Sequence, residues 1–312
     1  MTYIVNALLP VYLTLAVGYF AALHHDIEGR SANVLNRMVI TYALPLGLFA
    51  GTVTMQRDQL SISLKLALIL VLGMVIPFAV TLLISRLVAR RSLAESTLQA
   101  LAIGLPAIPF AGLPVLGAVF GMEPGTITVA IGSLGTNIVM VPLGLILLGI
   151  AASGKQTPTT ARSVGAVIGA SVMEPMVWAP VLGMLFVVFD IHPPVPLLHS
   201  MELLGSTTGG VALFATGVVL RSHRPTLSRA IVVSTLGRLI VVPGLALLIL
   251  PLFGLHHRLL GYPVVSLSLP CAVIIVIFAV RFNVAEQETA SVLLYSYVLS
   301  TVTMAGFIAA IG

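Results

Sequence analysis

The chain has 312 residues, of which 58% are hydrophobic and 8% are charged, and its mean hydropathy is +1.12. Soluble domains carry about 25% charged residues, so the composition excludes an ordinary soluble protein. The net charge of +5 is spread over short loops without a basic patch interleaved with aromatics, which excludes a nucleic-acid-binding role. A single cysteine, Cys271, excludes an internal disulfide.

Apolar runs of about 20 residues recur along the whole chain, as expected of membrane-spanning helices. The first run lacks a basic start and a small-residue cleavage site, so we interpret it as a span and not as a signal peptide. The connecting loops are too short for a soluble domain, which predicts an all-α polytopic membrane protein. Ten spans are predicted, over residues 3–23, 34–54, 63–85, 97–120, 125–151, 164–189, 197–220, 230–253, 263–282 and 289–311.

The 15 lysine and arginine residues predict the orientation of these spans. If the N-terminus lies outside, eleven of the 15 are at cytoplasmic span ends, three are at outer ends and Arg238 is inside a span. Basic residues favour the cytoplasmic side. The sequence therefore predicts a multi-pass inner-membrane protein with both termini on the non-cytoplasmic side.

Short sequence matches recur at a nearly constant separation. Leu105-Pro106 reappears as Leu269-Pro270, which is 164 residues later, and Val75-Ile76-Pro77 matches Val241-Val242-Pro243 at 166 residues. This pattern predicts two five-helix repeats over residues 1–155 and 160–312. Because five is odd, the second copy would be inverted, as in transporters that work by alternating access. Chance similarity between apolar segments is the alternative.

Residues 104–114, "GLPAIPFAGLP", place three prolines and two glycines inside the fourth span. Proline removes a backbone donor, and unpaired backbone groups in a membrane must be covered by protein or line a cavity. We therefore predict a break in the fourth span at Pro106 and Pro109, and a matching break in the ninth at Pro270. The amide groups that begin a half-helix can bind a carboxylate. The alternative is that these prolines only kink helices and shape their packing.

Several segments also carry a family resemblance, among them "GLPAIPFAGLPVLG" (104–117), "LLGSTTGGVALFATGVVL" (203–220) and "LPCAVIIVIFAVRF" (269–282). They resemble the auxin efflux carrier family, which includes plant auxin exporters and bacterial carriers of malonate and similar organic acids. The resemblance extends over essentially the whole chain. The opening "MTYIV" and the sixth span are most similar to the malonate-carrier branch.

This resemblance implies ten helices in two inverted repeats, with a bile-acid-symporter-like crossing of broken helices 4 and 9. It implies a scaffold from helices 1, 2, 6 and 7, a transport domain from helices 3–5 and 8–10, an elevator motion and a homodimer through the scaffold. The substrate would bind at the crossing, on Pro106, Ala107, Ile108, Pro109, Pro270, Cys271 and Ala272.

The chain departs from the family pattern at the crossing itself. Ala107 stands where members often have asparagine, Cys271 stands where the plant exporters have a polar residue, and Glu174 stands where asparagine often precedes proline. The predicted pocket is therefore less polar than usual. Backbone amides would have to do more of the substrate binding.

Ionisable residues inside spans are costly, and this makes them functional candidates. Arg238 lies nine residues after Arg229, or roughly 13 Å along a helix, which is near mid-membrane. It could attract a substrate carboxylate, pair with Glu174 or extend to the interface. Glu174 could couple transport to protons or balance Arg238. Thr136 and Asn137 could hydrogen-bond either the substrate or a neighbouring helix.

These features favour a secondary transporter that moves malonate or another small carboxylate by alternating access. The alternative is a sodium-coupled symporter of a larger organic acid, related to bile-acid symporters, which would need oxygen-rich cation sites near the breaks. Proton or sodium coupling stays open. The sequence has no HExxH, no P-loop and no paired nucleophile and base, so we predict no enzyme activity, metal or cofactor.

Overall fold

The computed structural model describes residues 2–27, 29–54, 64–153, 173, 175–222, 225–254 and 258–311. Nearly all of them are helical. The helices of the first half are α1 (Thr2–Leu23), α2 (Gly29–Met38), α3 (Leu44–Val53), α4 (Leu64–Leu87), α5 (Leu93–Gly104), α6 (Leu113–Phe120), α7 (Met122–Leu134) and α8 (Val141–Ser153). The helices of the second half are α9 (Pro175–Val188), α10 (Val195–Ser222), α11 (Arg229–Leu236), α12 (Val242–Ile249), α13 (Arg258–Ser268), α14 (Ile274–Phe282) and α15 (Glu286–Ala310).

Four π-helical turns interrupt these helices, and a proline explains each of them. In every case the second residue of the following α-helix is proline. Proline has no N–H for the carbonyl four residues earlier and its ring displaces that carbonyl, which shifts the hydrogen-bond ladder of the preceding turn. The turns are Val39–Ala43, Ile108–Gly112, Gly135–Met140 and Gly237–Val241, and the prolines are Pro45, Pro114, Pro142 and Pro243.

Five of the described helical segments are long and apolar enough to cross a membrane. The outward face of α4 is apolar, with Leu68, Ile76 and Leu83 all more than half exposed, and such a face suits hydrocarbon. These observations agree with a polytopic membrane protein. The five segments are Lys65–Leu87, Ile127–Ala152, Val195–Arg221, Arg229–Leu252 and Glu286–Ala310.

The predicted number of ten spans stays a prediction. The fourth and ninth predicted spans are each divided into two shorter helices. The first part of the predicted span 164–189, and the predicted division between the repeats at 155–160, lie outside the described residues. Single boundaries differ by a few residues, as for the tenth span, which begins at Glu286 and not at 289.

Glycines bring helices of one part of the protein into close contact. Helix α1 packs along α10, and α3 packs against α9 and α10. A Cβ atom at Gly18 would lie 2.1 Å from the Phe214 carbonyl oxygen, and one at Gly205 would lie 2.4 Å from the Gly47 Cα. Only residues without a side chain fit these contacts, as at other close helix crossings in membranes.

A second group of helices encloses the most deeply buried part of the chain; it consists of α4, α5, α8, α13, α14 and α15. Helix α5 packs against α4 and α8, and α13 and α14 pack against α15. Every residue over 96–108 and over 263–280 is buried. Both segments contain one of the predicted breaks, so the two breaks lie inside protein and not against lipid.

A bidentate ion pair closes one end of this second group of helices. Arg91, in the loop after α4, donates from Nη1 and Nη2 to the two carboxylate oxygens of Glu288 on α15, both at 2.7 Å. Arg91 also donates to the Gln99 side chain, which accepts a second bond from Ser85. The hydrogen bonds that Arg91 donates to Glu288 raise the pKa of Arg91, so the arginine stays charged. The pair ties the start of α5 to the start of α15.

Candidate functional site

The first break follows directly from Pro106. Helix α5 begins with a capping box between Ser92 and Glu95 and ends at Gly104. Leu105 is extended, with φ −109° and ψ 99°, because proline disfavours the helical conformation in the residue before it. The helix resumes at the π-helical turn that begins at Ile108.

The second break lies at Pro270. Helix α13 ends at Ser268, and α14 begins only at Ile274. Both interruptions that the prolines predict are therefore present. Another proline, Pro263, lies inside α13, where the chain stays helical.

The two breaks meet and pair as a minimal antiparallel bridge between Pro106 and Cys271. The Ala107 N–H donates to the Pro270 carbonyl at 2.8 Å, and the Ala272 N–H donates to the Leu105 carbonyl at 3.0 Å. These two bonds satisfy backbone groups that the interrupted helices leave free, which is a requirement inside a membrane. We call residues 105–107 and 269–272 the crossing.

The two hydrogen bonds of the crossing have the local two-fold symmetry of every antiparallel bridge. The bridge pairs Pro106 with Cys271, which is 165 positions later, whereas the repeated Leu-Pro sequence relates Pro106 to Pro270 at 164 positions. The bridge therefore joins the two breaks but does not test the predicted inverted repeat.

Ser296 on α15 supports the crossing from behind. The Cys271 N–H donates to the Ser296 Oγ at 3.3 Å, and the Cys271 Sγ lies 3.1 Å from the same oxygen. The hydroxyl hydrogen of Ser296 is directed to the Leu293 carbonyl at 2.9 Å, so the thiol is the donor to Ser296. Cys271 thus contributes to holding the crossing in place.

The backbone around the crossing offers two helix starts to an anion. Helix α14 begins at Ile274, three residues after Cys271, and the π-helical turn begins at Ile108, directly after Ala107. The first amide groups of a helix have no partner within that helix and carry a partial positive charge. The chemistry of such a place is anion binding by N–H groups.

Arg238 is fully buried in the π-helical turn Gly237–Val241. Its Nη1 donates to the Ile103 carbonyl at 2.7 Å, and its Nη2 donates to the Leu267 carbonyl. Ile103 is near the end of α5 and Leu267 is near the end of α13. The guanidinium therefore lies between the two helices that end at the crossing.

Two other predicted site residues lie in the π-helical turn Gly135–Met140 between α7 and α8. Thr136 and Asn137 are both buried there, and the Thr136 hydroxyl approaches the Met74 sulfur at 4.0 Å. Glu174 lies outside the described residues. Three of the four π-helical turns thus contain a sequence-predicted residue, in keeping with the frequent occurrence of such turns at functional sites.

A cavity of about 520 Å³ lies beside the crossing, between α3, α7 and α10. Pro109 forms part of its wall, and Glu202 contributes the one ionisable side chain among the described residues that line it. The Thr208 hydroxyl is buried there without a hydrogen-bond partner. Small-molecule sites have volumes of about 300–1,000 Å³ and a mostly apolar wall with a few polar groups.

The crossing was predicted from the sequence, but most of this cavity was not. Among the predicted site residues that the structure describes, only Pro109 lines the cavity, whereas Ser133, Glu202 and Thr208 were not predicted as site residues. The cluster of Ser206, Thr207 and Thr208 between glycines in "GSTTGG" was the available signal. It did not suffice because α3 and α7, which form the opposite wall, come from distant parts of the sequence.

Comparison with known proteins agrees with this architecture. The profile of the family described as "Membrane transport protein" matches residues 3–308, which is nearly the whole chain. The chain belongs to the membrane transport protein family. The resemblance to auxin efflux carriers is thereby confirmed, and the protein is a membrane transporter and not an enzyme.

Individual relatives of this transporter are bacterial and archaeal. "Uncharacterized transporter YfdV" of Escherichia coli (strain K12) is 31% identical over 287 residues, covering 91% of this chain and 90% of its own. "Putative malonate transporter" of Rhizobium meliloti (strain 1021) is 25% identical over 311 residues, covering 99% and 96%. An "Uncharacterized transporter" of Methanothermobacter thermautotrophicus is 26% identical over 309 residues, covering 96% and 95%.

Proposed function

We propose that this transporter is a secondary carrier of a small organic anion, malonate or another small carboxylate, which binds at the crossing. The pair of backbone hydrogen bonds that joins the two breaks carries this proposal. It brings the starts of two half-helices together inside the protein, where their amide groups can bind a carboxylate. The similarity to the Rhizobium meliloti protein named as a malonate transporter supports the choice of a carboxylate.

The proposed binding site extends from the crossing into the neighbouring cavity. Pro109 lines the cavity two residues after the crossing, so a substrate in the cavity could reach the amide groups near Ile108. On this proposal the amide groups near Ile108 and Ile274 form the anion-binding end, and Thr136 and Asn137 contribute polar groups nearby. The other predicted residues of the crossing hold these helix starts in place, because their own N–H groups are absent or already paired; they are Pro106, Ala107, Pro270, Cys271 and Ala272. Thr208 and Ser133 supply hydroxyls for the rest of the substrate.

Alternating access follows from an inverted repeat in this proposal. The recurrence of Leu105-Pro106 as Leu269-Pro270, each directly at the end of an interrupted helix, supports two opposed copies of one five-helix unit. The glycine-mediated contacts of α1 and α3 with α10 support a compact scaffold, against which the helices around the crossing would move as an elevator. The cytoplasmic bias of the basic residues supports both termini on the non-cytoplasmic side of the inner membrane, and family resemblance supports a homodimer through the scaffold.

A ligand screen tests the function. The purified protein is heated with mono- and dicarboxylates, with and without sodium and at two pH values, because a ligand that binds the folded state raises its apparent stability. We expect a small carboxylate to raise the unfolding temperature and to enter proteoliposomes that contain the protein. Stabilisation only by larger organic acids, and only in sodium, would favour a sodium-coupled symporter instead.

Glu202 is expected to weaken, without preventing, the binding of a substrate that carries a second negative charge, such as malonate. Glu202 lines the cavity, and the lining residues that the structure describes include no lysine or arginine. Repulsion between two charges at the protein surface is on the order of 1 kcal/mol. Glu202→Gln should therefore strengthen dicarboxylate binding by roughly fivefold relative to monocarboxylate binding, measured by calorimetric titration.

Glu202→Asp is the matched control for this substitution, because it keeps the charge and should keep the wild-type preference. If Glu202→Gln weakened dicarboxylate binding, Glu202 would be a group that attracts the substrate through a proton or a cation. That result would contradict the proposed repulsion.

A further inference from the structure

Arg238 is the one charged residue among the fully buried side chains that the structure describes. The described residues classed as buried include no aspartate or glutamate. A buried cation without a counter-charge would be very costly, so its charge must be balanced by other groups. The two carbonyls that accept its hydrogen bonds, Ile103 and Leu267, show which groups these are.

Both carbonyls belong to the last turns of interrupted helices. Ile103 is the penultimate residue of α5, and Leu267 is the penultimate residue of α13. The last four carbonyls of a helix have no partner within it, and the helix end carries roughly half a negative charge. Two such ends together match the single positive charge of one guanidinium.

The crossing itself creates the need for this cation. The chain breaks of α5 and α13 pair side by side, so their two negative ends face the same buried region. Like ends of helices repel each other, and the low effective dielectric of a buried site makes that repulsion stronger than it would be in water. A cation placed between them turns the repulsion into attraction to a common centre.

The geometry of Arg238 suits two separate acceptors. Its planar fork directs Nη1 to one helix end and Nη2 to the other, which a single ammonium group on a flexible stem does less well. The residue before it is Gly237, where a Cβ atom would lie 3.0 Å from Ile103 Cδ1. The helix that carries Arg238 thus approaches α5 closely at this point.

We propose that Arg238 is a tethered counter-cation that joins the ends of α5 and α13 and thereby holds the crossing in its binding geometry. Arg238 is then a positioning residue, which acts on the substrate through the backbone and not by direct contact. Its effect on substrate binding rests on the proposed function. Its effect on the stability of the fold does not.

Chemical rescue of Arg238→Ala tests this inference. Removal of the side chain should leave a cation-sized gap between the two helix ends whose carbonyls bind Arg238. The unfolding temperature should fall, and carboxylate binding should weaken by about 10–100-fold, as expected for loss of charged hydrogen bonds. Low concentrations of guanidinium chloride should raise the unfolding temperature of this variant and restore most of its carboxylate affinity. Tetramethylammonium chloride, which cannot donate hydrogen bonds, should do neither.

The matched control is Arg229→Ala, in the same helical segment but exposed, which should not respond to guanidinium. Arg238→Lys should recover part of the stability and serves if Arg238→Ala does not fold. Stability at the wild-type level together with a selective loss of carboxylate affinity would overturn the inference in favour of direct substrate contact. A folded variant that ignores guanidinium would overturn it as well. Because the unfolding measurement needs no substrate, these outcomes are distinct from failure of the proposed function.

Discussion

Pro106→Ala is expected to abolish most carboxylate transport while the protein stays folded. Alanine permits a helical conformation at Leu105 and supplies an N–H, so α5 can continue towards Ile108 and the crossing is lost. Loss of the two crossing bonds, at about 1 kcal/mol each, corresponds to roughly thirtyfold in an equilibrium constant. Uptake of labelled carboxylate by proteoliposomes measures the loss, and circular dichroism shows whether helix content is kept.

Pro77→Ala is the matched control for this prediction. Pro77 lies inside α4, where the chain stays helical on both sides, so alanine only adds a backbone donor there. Its uptake should stay within about twofold of the wild type, as expected for a change of less than 0.5 kcal/mol at a site without a special role. If the two variants transported equally well, the break at Pro106 would have no part in binding.

Gly217→Ala is expected to destabilise the protein strongly. A Cβ atom at Gly217 would lie 2.2 Å from the Leu15 carbonyl oxygen and 2.8 Å from the Tyr19 nitrogen, both of them backbone atoms of α1. Backbone cannot rotate away as a side chain can, so α1 and α10 must separate. The cost should be about 3 kcal/mol, at the upper end for overpacked sites.

This cost corresponds to a decrease of roughly 5–10 °C in the unfolding temperature, which is measured in detergent by intrinsic fluorescence or light scattering. Gly210→Ala on the same helix is the control, because a Cβ atom there meets nothing within 4 Å. The control should be neutral or slightly stabilising, since alanine favours helix over glycine by about 1 kcal/mol. Equal unfolding temperatures for both variants would contradict the close packing of α1 on α10.

The two breaks could be predicted from the sequence because proline acts locally. Pro106 and Pro270 each remove a donor and restrict the residue before them, whatever surrounds the helix. The position of Arg238 inside a span was also predicted from its distance to Arg229, whereas the sequence left open whether its side chain is buried or extends to the interface. The hydrogen-bond partners of Arg238 could not be predicted, because Ile103 and Leu267 contribute backbone carbonyls and every residue has a backbone carbonyl.

The prolines that follow the π-helical turns were a signal in the sequence that was not used to predict these turns. Pro45, Pro114, Pro142 and Pro243 each follow such a turn, yet Pro77 and Pro180 lie in helices without one. The presence of a proline alone therefore does not show where a π-helical turn forms. The cavity was least predictable, because its walls come from α3, α7 and α10, which only the folded chain brings together.

The most direct test of the binding site is an experimental structure with the carboxylate that the ligand screen selects. We predict that the carboxylate group of the bound ligand lies within hydrogen-bond distance of backbone amides near Ile108 or Ile274, with the rest of the ligand in the cavity beside Pro109. Density for the ligand elsewhere, with the crossing unchanged and empty, would contradict the account.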